Sequence, residues 1–178
     1  MTRSERLGFR FSGFGGQGVV LASILFAEAL AAEGYNVLQT QSFGIEARGG
    51  ASRGEVLCSK GKLNYLKVVQ PDVVVAMTQL ASDLYVKDMN PEGIMICDSF
   101  YVEELPKRES GLTYAVPFTT LAQQELGKAL FANVISLGFL NGVTELISPE
   151  NLERAVLHRV AERFAEDNQK ALHIGYEQ

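Results

Sequence analysis

Cysteine and histidine are scarce in this chain, with two of each among 178 residues. Two thiols, Cys58 and Cys97, cannot supply the four ligands of an ordinary iron–sulfur cluster or structural zinc site. Both sit in apolar, strand-like runs and read as small buried hydrophobes of a reducing compartment. His158 and His173 fall on late, polar, helix-like segments and read as surface or interface residues. A Ser-His-Asp or zinc-histidine enzyme would want a histidine among the glycine loops, and none is there. A basic excess is missing as well. The formal net charge is −5, which argues against nucleic acid as a partner. No apolar run reaches membrane-spanning length without interruption. The stretch MTRSERLGFRF lacks the apolar segment of a secretion signal, so a cytoplasmic protein without membrane attachment is expected.

What remains is an ordinary globular composition. Hydrophobic residues make up 47% and charged residues 21%, intermixed. That supports one well-buried core and is too short for two ordinary domains, so residues 1–178 are read as a single domain.

RLGFRFS alternates and then meets glycine, as a first strand ending in a tight turn would. From Gln17 to Glu33 the apolar positions Val20, Ile24, Ala27, Leu30 and Ala31 recur at helical spacing, and Gly34 is a stop signal. NVLQTQS reads as a second strand. Strand, glycine turn, helix and strand open a βαβ unit, hence an α/β fold with a mostly parallel sheet and helices on both faces. FGIEARGGASRG is a loop by composition. EVLCS and KLNYLKV, joined by the turn-like SKGK, predict a hairpin or two extended strands near a sheet edge. PDVVVAMT and IMICDS are apolar runs of the kind buried in parallel sheets, with QLASDLYVKDM a helix between them. LTYAVPF reads as a further strand. LAQQELGKALFANVISLGFLNGV reads as one long apolar helix. In ISPENLERAVLHRVAERF, Ser148 is placed as N-cap and Pro149 at the first helical position. A last helix follows.

Gly13-Phe14-Gly15-Gly16-Gln17-Gly18 fits G-x-G-x-x-G between a strand and a helix. Glycine lets the backbone approach an anion, and the helix end offers unpaired N–H groups and the positive end of the dipole. The NAD version also wants an acid near the end of the second strand. NVLQTQS has none; Glu33 comes too early and Glu46 too late. No Lys-Ser/Thr pair follows, so a P-loop fails too. A tight turn that packs the helix on the sheet, and an anion or partner contact, both remain open.

SFGIEARGGASRGEV is the more unusual segment, carrying Glu46, Arg48, Gly49, Gly50, Arg53 and Glu55. In a parallel sheet it shares an edge with the first loop, where such folds bind ligands. Two exposed arginines, Arg48 and Arg53, suit phosphate or carboxylate recognition. Alternatively Arg48 pairs with Glu46 or Glu55 and another subunit covers the loop.

GFGGQGVVLASILFAEAL and FGIEARGGASRGEV, with PDVVVAM and GIMICDS at their spacing, resemble the gamma subunit of 2-oxoacid:ferredoxin oxidoreductases. The likeness continues through LGKALFANVISLGFLNGVTELISPENLERAV, where the family has an Asn before a Leu-Gly step, and covers nearly the whole chain. E-A-R-G-G-A-S looks most like the 2-oxoglutarate or branched-chain ketoacid type. Phe43 and Ile45 depart from the commoner Y-G-P-E. The resemblance implies a Rossmann-like subunit of a complex that turns a 2-oxoacid and CoA into acyl-CoA, CO2 and reduced ferredoxin. It implies thiamine diphosphate on alpha and beta subunits, and iron–sulfur clusters on a beta or delta subunit. It gives this chain an assembly role, possible access for CoA, and no catalytic residue or metal of its own. Gly13, Gly15, Gly16, Gly18, Glu46, Arg48, Gly49 and Gly50 are the positions it marks for cofactor or subunit contact, with Gln17 inside the first motif counted beside them; Arg48 and Arg53 as contacts to the phosphates of CoA are a hypothesis drawn from their charge. A free-standing nucleotide-binding protein and a partner-binding module without chemistry are the competing readings.

Overall fold

A computed structural model describes residues 6–42, 51–64 and 67–178. Six strands, β1 (Arg6–Gly13), β2 (Asn36–Ser42), β3 (Ser52–Ser59), β4 (Val73–Ala76), β5 (Ile94–Asp98) and β6 (Leu112–Val116), form one sheet in the order β2-β3-β1-β4-β5-β6. β1, β4, β5 and β6 pair in parallel, while β3 runs antiparallel to both β1 and β2. The sheet is therefore mixed but mostly parallel, as expected.

Among the described residues EVLCS and KLNYLKV form no hairpin; EVLCS is the second half of β3, beside the edge strand β2. β3 begins at Ser52, takes in Arg53 and Gly54, and spends both of its edges on β1 and β2. Residues 62–64 belong to no strand. Such long-range pairing leaves no trace in local periodicity, and β3 is buried along most of both faces, which erases the alternation a half-exposed strand would show.

Alternation along β1 divides the molecule. Phe9 and Phe11 point to one face, where they meet Phe26 edge-on at 4.9 and 5.7 Å between ring centroids. That face carries α1 (Val19–Ala32), α3 (Phe118–Leu126), α4 (Ala132–Thr144), α5 (Pro149–Arg159) and α6 (Ala165–Tyr176) around the larger core. Arg10 and Ser12 point to the other face, where the short α2 (Gln79–Tyr85) covers Val74, Ala76, Met95 and Cys97. Both cysteines are buried, and desolvation pushes the Cys58 thiol up to about 12 and the Cys97 thiol to about 11. They are packed as thiols, not poised as nucleophiles. His158 and His173 are exposed on α5 and α6.

The long helix expected from Leu121 to Val143 is two helices. Gly127, at φ +70°, ends α3, with its own N–H on Gln123 O and that of Lys128 on Ala122 O; this glycine cap closes the last turn. A short 3-10 turn at Ala129–Phe131 then leads into α4. α4 is an interior helix. Gly138 lies against the Leu172 carbonyl of α6 and Gly175 against the Ile135 carbonyl of α4, so Gly138 serves this crossing. The segment ISPENLERAVLHRVAERF is likewise interrupted, because Val160 is extended after α5. Ser148 does precede Pro149 as N-cap, but its hydroxyl donates to Glu33 at the end of α1.

Candidate functional site

The first glycine loop joins β1 to α1 at the carboxyl end of the parallel strands. Gly16 and Gly18 have φ of +94° and +74°, a backbone that L side chains adopt only with strain. Gln17 folds back into the turn. Its Oε1 accepts the Phe14 N–H at 2.7 Å, and its Nε2 donates to the Met77 carbonyl at 3.2 Å. Gly13 leaves room for it, since a Cβ there would lie 2.4 Å from Gln17 Oε1. The cup of the turn is thus filled from within, and one N–H that an anion could use is already satisfied. Gly15 and Gly16 remain exposed, and α1 starts without a side-chain cap.

Asn133, at the start of α4, holds the other side of this turn. Its Nδ2 donates to the Gly18 carbonyl at 3.2 Å, while its buried Oδ1 has no hydrogen-bond partner among the described residues. The glycine pattern alone does not point to Asn133. Its signal in the sequence is the Asn that precedes the Leu-Gly step.

The strand order removes the geometric basis of an NAD site. In the dinucleotide fold the second strand neighbours the first, and its terminal acid reaches the ribose. Here β3 lies between them, which sets the end of β2 two strand spacings away, about 9.5 Å.

Glu46, Arg48, Gly49 and Gly50 lie outside the described residues. Arg53 does not sit in a loop as expected but in β3, opposite Ser12, and Ser52 is opposite Gly13. The second segment therefore reaches the same end of the sheet as the first loop. The side chains diverge, however. Pairing with Ser12 puts half-buried Arg53 on the α2 face, while the glycine turn leads to α1 on the opposite one. Glu55 is also in β3 and is spent on Arg10: Arg10 Nε and Nη2 both reach Glu55 Oε1 at 2.7 Å, with the pair buried. It is not a free partner for Arg48.

Two further features finish this end. Asp98, at the end of β5, is fully buried. It accepts Thr119 Oγ1 at 2.5 Å and the N–H groups of Phe100 and Thr119 at 3.1 and 3.3 Å. Burial raises its pKa above the usual carboxylate range against these hydrogen bonds. It ties β5 to α3 and is sealed from solvent. Beside it, Phe14, Phe100 and Tyr101 form an exposed aromatic group, with Tyr101 edge-on to Phe100 at 4.7 Å and to Phe14 at 6.3 Å. Among the described residues no group of three His, Cys, Asp or Glu could hold a metal ion, and no helix is long and apolar enough to cross a membrane.

The sequence matches the profile of the pyruvate ferredoxin/flavodoxin oxidoreductase family over residues 8–178. It is 39% identical over 170 residues to the 2-oxoglutarate synthase subunit KorC of Methanocaldococcus jannaschii, covering 94% of this chain and 91% of that one. It is 30% identical over 176 residues to the pyruvate/ketoisovalerate oxidoreductases common subunit gamma of Pyrococcus furiosus, covering 94% of each. Among solved structures, the keto/oxoacid ferredoxin oxidoreductase gamma subunit of Geobacter sulfurreducens superposes with a TM-score of 0.85 at 40% identity, covering 96% of both chains.

Proposed function

The chain belongs to the pyruvate ferredoxin/flavodoxin oxidoreductase family, as a gamma-type subunit of a 2-oxoacid:ferredoxin oxidoreductase, and from that premise we propose that its complex acts on 2-oxoglutarate. The complex converts 2-oxoglutarate and CoA to succinyl-CoA and CO2, with two electrons leaving to ferredoxin. Thiamine diphosphate and the iron–sulfur clusters belong to alpha, beta and delta-type partners, and the assembly is cytoplasmic. This chain contributes to assembly and to the approach of CoA, and is inactive alone. The similarity to 2-oxoglutarate synthase subunits along nearly the full chain supports the substrate, as does E-A-R-G-G-A-S.

One observation carries the division of labour. The loop that would cradle a dinucleotide is closed by its own Gln17, and β3 displaces the strand that would complete such a site. The carboxyl end of the sheet is then a contact surface and not a self-contained cofactor pocket. On this reading Arg53, with Arg48, offers positive charge to the phosphates of CoA at the boundary with a partner. In Pyrococcus the related chain is common to pyruvate and ketoisovalerate oxidoreductases, which supports selection of the 2-oxoacid by the partner subunits.

The test is capture from the native host through a tag on this chain, followed by assay of the eluate for thiamine diphosphate, iron and CoA-dependent dye reduction with several 2-oxoacids. Larger subunits with thiamine, iron and a preference for 2-oxoglutarate are expected. A chain that elutes alone, or with a nucleotide and no iron, overturns the proposal; preference for another 2-oxoacid overturns the substrate.

A further inference from the structure

The carboxyl end of the sheet carries an apolar surface that the fold does not use. Phe14, Phe100 and Tyr101 are 42%, 45% and 38% exposed, yet they are not loose, because each ring packs edge-on against the next. Their backbones are also fixed. Phe14 N–H is held by Gln17 and Phe100 N–H by buried Asp98, while the Tyr101 and Val102 N–H groups bond the Asp98 carbonyl. Ordered aromatic rings at the surface lose little conformational entropy on binding, which is why such residues concentrate in interface hot spots.

Beside Tyr101 a groove of about 310 Å3 is lined by Gln79, Asp83, Glu103 and Glu104 as well as Tyr101 itself. Gln79 braces it. Gln79 Oε1 accepts the Glu104 N–H at 3.0 Å, and Nε2 donates to the Glu104 carbonyl and to Asp83 Oδ1, both at 2.9 Å. The wall is acidic and, among the described residues, contains no basic one. Among the described residues none of the three carboxylates has a salt-bridge partner.

We infer that this aromatic surface and its acidic groove form a docking site for a basic segment of another subunit of the same complex, seating an arginine against Tyr101 and the carboxylates of Asp83, Glu103 and Glu104. Charge complementarity selects the occupant. A guanidinium can lie on the Tyr101 ring while its N–H fork meets a carboxylate, and the neighbouring phenylalanines cover its apolar stem. An anionic ligand is disfavoured by three carboxylates, and a second copy of this acidic chain would bring like charge to the groove. The inference rests on the gamma-subunit reading and gives it a surface.

The experiment uses the co-expressed complex, with the tag on this chain. In one variant Asp83→Lys, Glu103→Lys and Glu104→Lys are combined; in a second, Phe100→Ala and Tyr101→Ala. These side chains are exposed or at the groove wall, and circular dichroism checks that each variant folds. Each variant is expected to retain at most about a tenth of the partner subunits recovered with the wild type, the scale of loss for a close interfacial charge pair. A photo-crosslinking residue at Phe100 in the wild-type complex is expected to label a Lys- or Arg-bearing peptide of an identified partner subunit. Undiminished recovery with folded variants, or crosslinking to a second copy of this chain, overturns the inference while leaving the gamma-subunit reading intact. If the wild type captures no thiamine- and iron-bearing partner, the gamma-subunit reading has failed, and the docking inference with it.

Discussion

Arg10 and Glu55 meet across β1 and β3 inside the α2 face, at 2.7 Å, with their side chains 5% and 9% exposed. Tyr85 covers the guanidinium, whose carbon lies 4.7 Å from the ring centroid, and Nη1 has no hydrogen-bond partner among the described residues. The pair locks the antiparallel strand β3 in register beside the parallel strand β1, because a slip of β3 by one residue would carry Glu55 to the phenylalanine face and leave Arg10 buried without it.

Removing one partner leaves the other charged and buried, which costs about 3–5 kcal/mol. Glu55→Ala is therefore expected to be far less stable to urea than the wild type. The double variant Arg10→Met/Glu55→Leu is expected to recover most of that loss, because apolar replacement of both ends removes the desolvation cost together with the pair. A double variant no better than Glu55→Ala would show that the hydrogen-bonded geometry itself holds the strands together.

In the first glycine turn two glycines have different reasons to be there. An added Cβ at Gly16 meets nothing within 4 Å, so its only penalty is the positive φ. At Gly18 the Cβ would also lie 2.4 Å from Asn133 Nδ2. Gly16→Ala is expected to cost about 1–2 kcal/mol, and Gly18→Ala more, with α4 displaced at its start. Chemical denaturation of the two variants checks the order. Equal losses would mean that Asn133 moves aside freely.

This turn also shows what a sequence can carry. The strand–turn–helix order and the apolar periodicity of α1 are local signals, and they placed β1, α1, β4 and β5 well. EVLCS reads as a strand, but the start of β3 at Ser52 and its partners escaped, because they are fixed by long-range pairing and both faces of β3 are covered. Gly127 was hidden inside an apolar run whose periodicity continues on either side of it. At the site, the glycines were legible as glycines, but not the Gln17 side chain that fills them. Nor was the turn of Arg53 to the opposite face, which depends on its register with Ser12.

The crossing of α4 and α6 depends on two glycines facing each other's helix backbone. A Cβ on Gly138 would lie 2.3 Å from Leu172 O, and one on Gly175 would lie 2.1 Å from Ile135 O. Backbone cannot step aside as a side chain can, so Gly138→Ala and Gly175→Ala should each cost about 3 kcal/mol, the upper end for overpacking. Thermal unfolding of the purified chain measures this. A near-neutral result would require the two helices to separate without loss, against the interior position of α4.

For CoA, the expectation falls on Arg48 and Arg53. Changing both to alanine in an intact complex should raise the apparent KM for CoA and leave that for the 2-oxoacid unchanged, because the arginines would bind phosphate remote from the decarboxylating carbon. Arg53→Lys alone should restore part of the affinity if charge is what matters, and little if a bidentate fork is needed. An unchanged KM for CoA removes these arginines from its path.

Two acids should tilt the pH dependence of stability in opposite directions. The Glu33 carboxylate accepts Ser148 Oγ, the Ser148 N–H and Asn151 Nδ2; these bonds, that of the Ser148 hydroxyl foremost, hold its pKa at about 2 against an ordinary 4.5. The unfolded chain binds this proton first, so the contribution is complete above pH 4.5 and is lost as pH falls toward 2. Asp98 is the reverse case. Desolvation raises its pKa above the ordinary 3.8, so the folded chain binds the proton first and stability declines as pH rises beyond that value. Urea midpoints measured across pH for Glu33→Gln should lack the wild type's acid-side loss between 4.5 and 2. Those for Asp98→Asn should lack the decline above 3.8. If Asp98→Asn instead loses stability most at neutral pH, the carboxylate is ionised there and stabilised by its Thr119 and Phe100 hydrogen bonds. Asp98 would then hold α3 as a charged cap.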